Sequence, residues 1–460
     1  MENNYINLPD NVKYAMFLKW LNENVVKKIS YENNEPDWML QNRLEAFKIF
    51  SEKPMPSFGP DISDLDFENI IFFAKPEAME DYATSWEDVS PEIKEKFERL
   101  WIPEAERKYL AWAGGQYDSS MVYHKMKEKR EQKGIIFEDM STAVQKYPEL
   151  VKKHFMNIVS PNDHKFAALH WAVWSGWTFI YIPEGVQLDE PLQAYFRMNT
   201  LSWWQFEHTL IIVEDNARGE YIEWCSAPDY NSRALHAGCV EITVGKNSYV
   251  RYSSVENRSL DTYNLNTKRA IIWENSFMEW VGWNLGSWKT MLYPMSILKW
   301  DNSRAEHFGV AMASSSNQVQ DTWSKVVHIG KNTSSTIVTK SISKAWGINN
   351  YRWIVEVHSN ADNAVNKTEC DAILVDGESQ ANTVPYIKSN NSTATIAHEA
   401  TSGKIDEFSM FYLSSRWIDE EMAASLIVNW FVSPIVKKLP LEYAWEMNKL
   451  IEMEMEWSVG

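Results

Sequence analysis

Three cysteines, Cys225, Cys239 and Cys370, are the residues of this 460-residue chain with the widest chemical reach. Cys225 stands in "EYIEWCSAPDY" (220–230), where a strand-like run meets a turn, directly after Trp224. Cys370 opens a strand amid polar neighbours in "KTECDAILV", and "IAHEATSGKI" sets His398 beside Glu399. A thiolate is a strong nucleophile and a soft metal ligand, so a cysteine at a strand end has either chemistry open to it. The plainer reading is that a free cysteine is a small buried hydrophobe. Cys239, in the alternating run "HAGCVEITV", is read that way. Neighbours along a strand point to opposite faces, so only one of His398 and Glu399 can face a given site. No phosphate-binding glycine loop, dinucleotide fingerprint, HExxH, GxSxG or Ser/His/Asp constellation occurs. The residues alone therefore leave open an interaction protein with no catalysis of its own.

The elements that must hold these residues change character along the chain. Residues 1–157 read as a charged helical domain, with "VSPEIKEKFERL", "PEAERKYLAW" and "SSMVYHKMKEKREQKG" as helices and "FEDMSTAVQKYPELVKKHFMNIV" as two short ones. From 158 to 412, short alternating runs such as "HTLIIVED", "SYVRYSSVE", "STIVTKSIS" and "ATIAHEA" follow one another, separated by Asn, Asp, Ser and Gly. More than a dozen strands with no convincing helix favour a mainly β fold. A β-solenoid leads over paired sandwiches, because each coil buries its face on the next. Residues 413–460 return to helix, in "DEEMAASLIVNWFVSPIVKKL" and "PLEYAWEMNKLIEMEMEW", with an apolar stripe that either caps the solenoid or docks a partner.

The net charge of −18 and the lack of a basic aromatic patch argue against nucleic acid and against an anionic membrane surface. The longest apolar run, "AASLIVNWFV", is too short to span a bilayer. No export signal opens the sequence, and the odd number of cysteines fits reduced thiols in the cytoplasm.

In order and in content, "NEPDWMLQNRLEAF", "PEAERKYLA", "QYDSSMVYH", "FRMN", "QFEHTLIIVED", "YIEWCSAP", "YNLNTKRA", "HIGKNTSSTIVTKSIS", "CDAILV" and "HEATSGKI" resemble the SufB/SufD family of the SUF iron–sulfur cluster assembly system. The segments "EPDWML" and "QYDSS" place the resemblance on the side of SufB, the scaffold, with a SufD-like non-scaffolding subunit as the alternative. The resemblance implies a right-handed parallel β-helix between helical end domains. It also implies a SufC-type ATPase on the C-terminal helices, a SufD-type subunit or a second scaffold copy, and a SufE- or SufU-type sulfur donor fed by a cysteine desulfurase. The chain itself is then a scaffold for a transient iron–sulfur cluster and not an enzyme. By the same resemblance Cys225 receives sulfur, Cys370 and Glu399 build the cluster, and Arg197 and Asn199 line the sulfur route. The family's "QNW" reads Glu256–Asn257–Arg258 here, a departure within that route. A third class, an exported carbohydrate-binding or adhesive solenoid, fits poorly with the missing export signal.

Tryptophan is abnormally frequent, at 23, against 19 Phe and 20 Tyr, while glycine is scarce at 17. Fourteen of the tryptophans, among them Trp20, Trp177, Trp224, Trp353, Trp417 and Trp430, stand where the resemblance carries glycine. One cause would cover them all: a source genome that reads UGA as glycine. On that reading a glycine at 224 would give the Cys225 thiol open access.

Overall fold

The computed structural model describes residues 14–65, 67, 71–76, 114–117, 120–121, 133–197, 204–227 and 234–456. Alternating runs fold as strands, and they pair in parallel with the runs one coil away. Seven successive strands of a first sheet run from Arg218–Ala227 through Tyr249–Arg258, Phe277–Gly286, Arg304–Ala313, Ser334–Ser343 and Val365–Leu374 to Thr395–Lys404. Between them lie the strands of a second sheet, from Cys239–Val244 through Thr262–Ile272, Lys289–Leu298, Val319–His328 and Ile348–Val357 to Gln380–Ser389. The chain thus winds from one sheet to the other and back, a parallel β-solenoid as expected. Inward side chains of both sheets, including Tyr221, Cys225, Trp280 and Cys370 from the first and Ile242, Ala270, Leu298 and Trp353 from the second, form one buried cluster along the bore.

The coils stay in register partly through their turns. Asn216, Asn247, Asn275, Asn302, Asn332 and Asn363 recur 27–31 residues apart, each with φ between 53° and 58°. Asparagine tolerates the left-handed region better than other residues bearing a side chain. Their side-chain amides also stack: Asn247 Nδ2 donates to Asn216 Oδ1 at 3.1 Å, Asn275 Nδ2 to Asn247 Oδ1 at 3.1 Å, and Asn302 Nδ2 to Asn275 Oδ1 at 2.9 Å.

Helices cover the outer faces. The C-terminal pair, Glu420–Val436 and Leu441–Glu456, packs Val428, Val432, Ile435, Met447 and Ile451 on Val255, Trp283, Val310 and Ile342 of the first sheet. Asp419 caps the first of the pair by accepting from Met422 N. Helices Glu23–Glu32, Asp37–Glu52 and Lys165–Val173 cover part of the second sheet. Among the described residues no helix covers the last coil: Gln380–Ser389 and Thr395–Lys404 are exposed along nearly their whole lengths, and each is the outermost described strand of its sheet. No helix among the described residues is long and apolar enough to cross a membrane.

Two expectations need correction. Residues 1–157 are not purely helical, because Gly114–Tyr117 and Ile136–Asp139 already pair into the two solenoid sheets. Lys165–Val173 is a helix inside the stretch read as all strand. That helix is apolar nearly all round and fully packed, so its sequence carries little helical periodicity. The two short helices expected over 137–159 are present as Met140–Lys146 and Pro148–His154. The predicted helices at 89–112 lie outside the described residues, as does nearly all of the one at 119–134.

Candidate functional site

Cys225 sits in strand Arg218–Ala227, whose alternation turns Tyr221, Glu223 and Cys225 into the bore and Trp224 outward. Trp224 packs against Tyr443 of the last helix, with ring centroids 5.6 Å apart. The tryptophan therefore does not cover the thiol, and its size does not govern access to Cys225. The thiol is fully buried among charged groups. Its Sγ donates to Glu223 Oε1 at 3.8 Å, and Glu256 occupies the same register position on the next coil. Ligand atoms of Glu223, Cys225 and Glu256 all lie within 4.8 Å of one another. Burial, then Glu256 and Glu223, push the thiol well above its ordinary range, with Arg258 opposing.

The departure at 256–258 is a buried ion pair. Arg258 Nε lies 3.2 Å from Glu256 Oε2, and Lys268 Nζ lies 3.3 Å from Glu256 Oε1. Burial alone would raise the Glu256 carboxyl, but Lys268 and then Arg258 overcome it and hold the group at about 2. Of the other residues assigned to the route, Arg197 ends strand Leu192–Arg197, and its backbone pairs with Ser226; Phe196 is the partner of Cys225. The Arg197 side chain and all of Asn199 lie outside the described residues.

Cys370 faces the same bore from strand Val365–Leu374. Its register partners are Thr339 on one side and Ala400 on the other. Burial raises its thiol to about 12, against the Thr339 hydroxyl. Glu399 pairs instead with Glu369, one residue out of step, so it faces the opposite side of the sheet from Cys370. The structure therefore does not bring Cys370 and Glu399 together within one chain. It brings His398 to the inner face, where its ring lies 4.6 Å from that of Trp353. Because the last coil is uncovered, His398 and Glu399 are both exposed.

The two thiols are five strand spacings apart in one sheet, roughly 24 Å at about 4.8 Å per spacing. Between them the register column of Cys370 runs through Thr339, Gly309, Gly282 and Ser254 to Glu223, next to Cys225. The two glycines withdraw side chains midway. A cavity of about 50 Å3 lies there, lined by Tyr252, Lys268, His307, Thr339 and Tyr351 among others. Lys268 Nζ also reaches Ser254 Oγ at 3.0 Å. His307 Nε2 pairs with Ser296 Oγ at 2.9 Å while its buried Nδ1 has no hydrogen-bond partner. Burial drives His307 down to about 3 and so keeps it neutral.

Two family models match the chain. That for the SUF system FeS cluster assembly SufBD core domain covers residues 196–431, and that for the SufBD protein N-terminal region covers 102–194. The chain belongs to the SufBD family of iron–sulfur cluster assembly proteins. It is 47% identical over 451 residues to an iron–sulfur cluster assembly SufBD family protein of Staphylococcus aureus strain MRSA252, covering 98% of this chain and 96% of that one. A SufBD family protein of Staphylococcus epidermidis is 48% identical over 440 residues, 96% of this chain and 94% of that one. Within this SufBD-family chain, sequence reading named both bore-facing thiols. It missed Glu223, although its position two residues before Cys225 puts it on the same face of a strand. Lys268, His307 and Tyr351 reach the bore from other coils, and no spacing along the chain announces them.

Proposed function

We propose that this SufBD-family chain is the scaffold of its SUF system, taking up sulfur at Cys225 and building a transient iron–sulfur cluster at Cys370. The observation that carries the proposal is the shared bore: two thiols on one inner face, with glycines and polar groups between them. In uptake, the Cys225 thiolate attacks the outer sulfur of a donor persulfide. The donor's S–S bond breaks, its thiolate leaves, and no net oxidation occurs. A thiol roughly 24 Å away cannot attack that persulfide directly. The sulfur therefore leaves Cys225 as hydrosulfide when two small thiols reduce the persulfide and become a disulfide, or when a reduced cofactor supplies the two electrons, and it then follows the bore. The donor fits the SufE or SufU type, charged by a cysteine desulfurase.

At the far end Cys370 supplies the soft ligand and His398, on the same face one strand further, supplies an imidazole. Two ligands hold a nascent cluster loosely, which suits a protein that must release it. Further ligands come from a partner at the uncovered last coil. Its edge strands carry unpaired backbone groups and exposed Val384, Tyr386 and Ile387, a surface that takes a SufD-type subunit or a second copy. Glu399 stands on the outer side of this same edge. The C-terminal region bears exposed Phe408, Phe411, Trp430 and Trp445, the face offered to a SufC-type ATPase. ATP hydrolysis falls to that partner in the cytoplasm, and the chain itself is not an enzyme. Anaerobic reconstitution with iron and sulfide tests the reading. Wild-type protein gains a protein-bound cluster and Cys370→Ser does not; a wild type that binds none is a non-scaffolding, SufD-like subunit.

A further inference from the structure

Cys239 is buried with Val159 and Ala167, as expected of a core residue, and it also lies against two histidines. It heads strand Cys239–Val244, on the neighbouring coil to His208, its register partner. His170 reaches the same point from helix Lys165–Val173. One ligand atom from each of Cys239, His170 and His208 lies within 4.8 Å of the other two, and all three residues are buried. His170 Nε2 is 3.1 Å from His208 Nδ1. Two nitrogens bound tetrahedrally to one zinc ion sit about 3.4 Å apart, for zinc–nitrogen bonds of about 2.05 Å.

The outer nitrogen of each ring faces an oxygen. His170 Nδ1 is 3.1 Å from Ala237 O, and His208 Nε2 is 3.3 Å from Glu241 Oε2. Glu241 is fixed in turn by three backbone amides: Ile158 N and Val159 N donate to Oε1 at 2.7 Å each, and Met156 N donates to Oε2. Three gaps separate the Ala237 carbonyl from the Glu241 carboxylate: carbonyl to His170, His170 to His208, and His208 to carboxylate. Two neutral imidazoles have protons for only two of them. His208 Nε2 is fully buried and makes no hydrogen bond, although Glu241 Oε2 lies 3.3 Å away.

We propose that His170 Nε2, His208 Nδ1 and Cys239 Sγ bind a divalent first-row ion of zinc type. The cation fills the central gap, leaving one ring proton for Ala237 O and one for Glu241, the usual outer support of metal-bound histidine. Cys239 binds as thiolate and its proton passes to water. The thiolate and Glu241 together balance the 2+ charge. Phe155, whose ring lies 4.3 Å from that of His208, also lines an outer groove with Trp38, Asn42, Glu45, Lys152 and Trp171. The site is separate from Cys225 and Cys370 and does not rest on the scaffold reading.

The test is anaerobic cobalt(II) titration of the full chain carrying Cys225→Ser and Cys370→Ser. The expected result is one equivalent bound, with a thiolate-to-cobalt charge-transfer band that disappears on adding Cys239→Ser. His170→Asn, which can still donate to Ala237 O, should weaken binding at least tenfold. Zinc should raise the unfolding temperature of the double variant and leave that of the triple variant unchanged, which keeps the test readable if the triple variant is less stable. Absence of the band in the double variant, or its survival in the triple variant, overturns the site.

A second, independent observation concerns tryptophan. Trp20, Trp177, Trp346 and Trp417 have φ of 57°, 98°, 69° and 65°. Bulky side chains seldom take up that region, and the value at Trp177 lies beyond even the left-handed helical well. We infer that these four positions are glycine in the protein as its source makes it. Trp224, Trp283 and Trp353 are packed without such backbone and are not included. Position 177 bears on Cys225, because the buried Trp177 indole donates to Glu223 Oε2 at 3.2 Å, and Glu223 is the neighbour of the thiol. Peptide mass spectrometry of the protein from its native source decides. Glycine at 177 is expected, and Trp177→Gly in recombinant protein should speed labelling of Cys225 by a small thiol reagent at least tenfold. Tryptophan in the native peptide overturns the inference, as does an unchanged labelling rate for its consequence at Cys225.

Discussion

The two ends of the bore hold the same functional group in opposite surroundings. At one end Cys225 is packed among Glu223, Glu256, Arg258 and Lys268, all buried. At the other, Cys370 lies one strand from an uncovered coil, with Thr339 and Ala400 as its neighbours in register. Charge and burial at the first end favour a thiol that stays protonated until a donor opens the site. At the second the thiol is buried as well, and it is the exposed coil beside it that favours ligand exchange and release. On the proposed reading, one residue type serves intake and output, and the coil it occupies decides which.

The largest effect expected from breaking this contrast is at the open end. Cys370→Ser should reduce bound cluster to background while changing stability by about 1 kcal/mol or less, as small substitutions usually do. Parallel iron analysis and thermal unfolding check both halves. At the closed end, Glu256→Gln leaves Lys268 and Arg258 without their shared carboxylate. Removing one partner of a buried pair costs about 3–5 kcal/mol. The folded-state pKa of Glu256, about 2, lies below the ordinary 4.5, so its contribution is present above pH 4.5 and is lost as pH falls towards 2. Denaturant titrations across that window should show a steep acid loss in wild type and a flatter one in Glu256→Gln; identical slopes would remove Glu256 from the account. Smaller still are the surface effects. Trp430→Ala and Phe411→Ala should each weaken ATPase binding about tenfold, a change of about 1.4 kcal/mol, with unfolding temperature unaltered. Deleting residues 416–460 would not isolate that contact, because the same helices cover Val255, Trp283 and Val310.

Much of this contrast was legible before any coordinates. The period-two runs located most first-sheet strands, and the thiols stood out as the scarce reactive groups. The asparagine ladder was also written in the sequence, at Asn216, Asn247, Asn275, Asn302, Asn332 and Asn363, but at a coil-length interval that a search for hexapeptide repeats passes over. Gln380–Ser389 carries Pro385 and is exposed on both faces, so it lacks the alternation that marks a half-buried strand. The pairing of Cys370 with Glu399 failed on parity: only the register Cys370 to Ala400 reveals that His398, and not Glu399, shares its face. The His170, His208 and Cys239 cluster joins a helix to two coils, and nothing local in the sequence marks it.

On the proposed reading the bore is the route between the two thiols. Gly309 offers the sharpest probe, because its backbone takes a side chain without strain and a Cβ there would meet only Thr339 Cγ2, at 3.5 Å. Gly309→Leu would extend into the cavity midway between Cys225 and Cys370. The measurement is cluster formation by this variant in the presence of iron, supplied either with a persulfide-charged donor or with free sulfide. The account predicts at least a tenfold loss from the donor and near wild-type yield from free sulfide, which enters at the open end beside Cys370. Equal yields from both sources, at wild-type level, would contradict it.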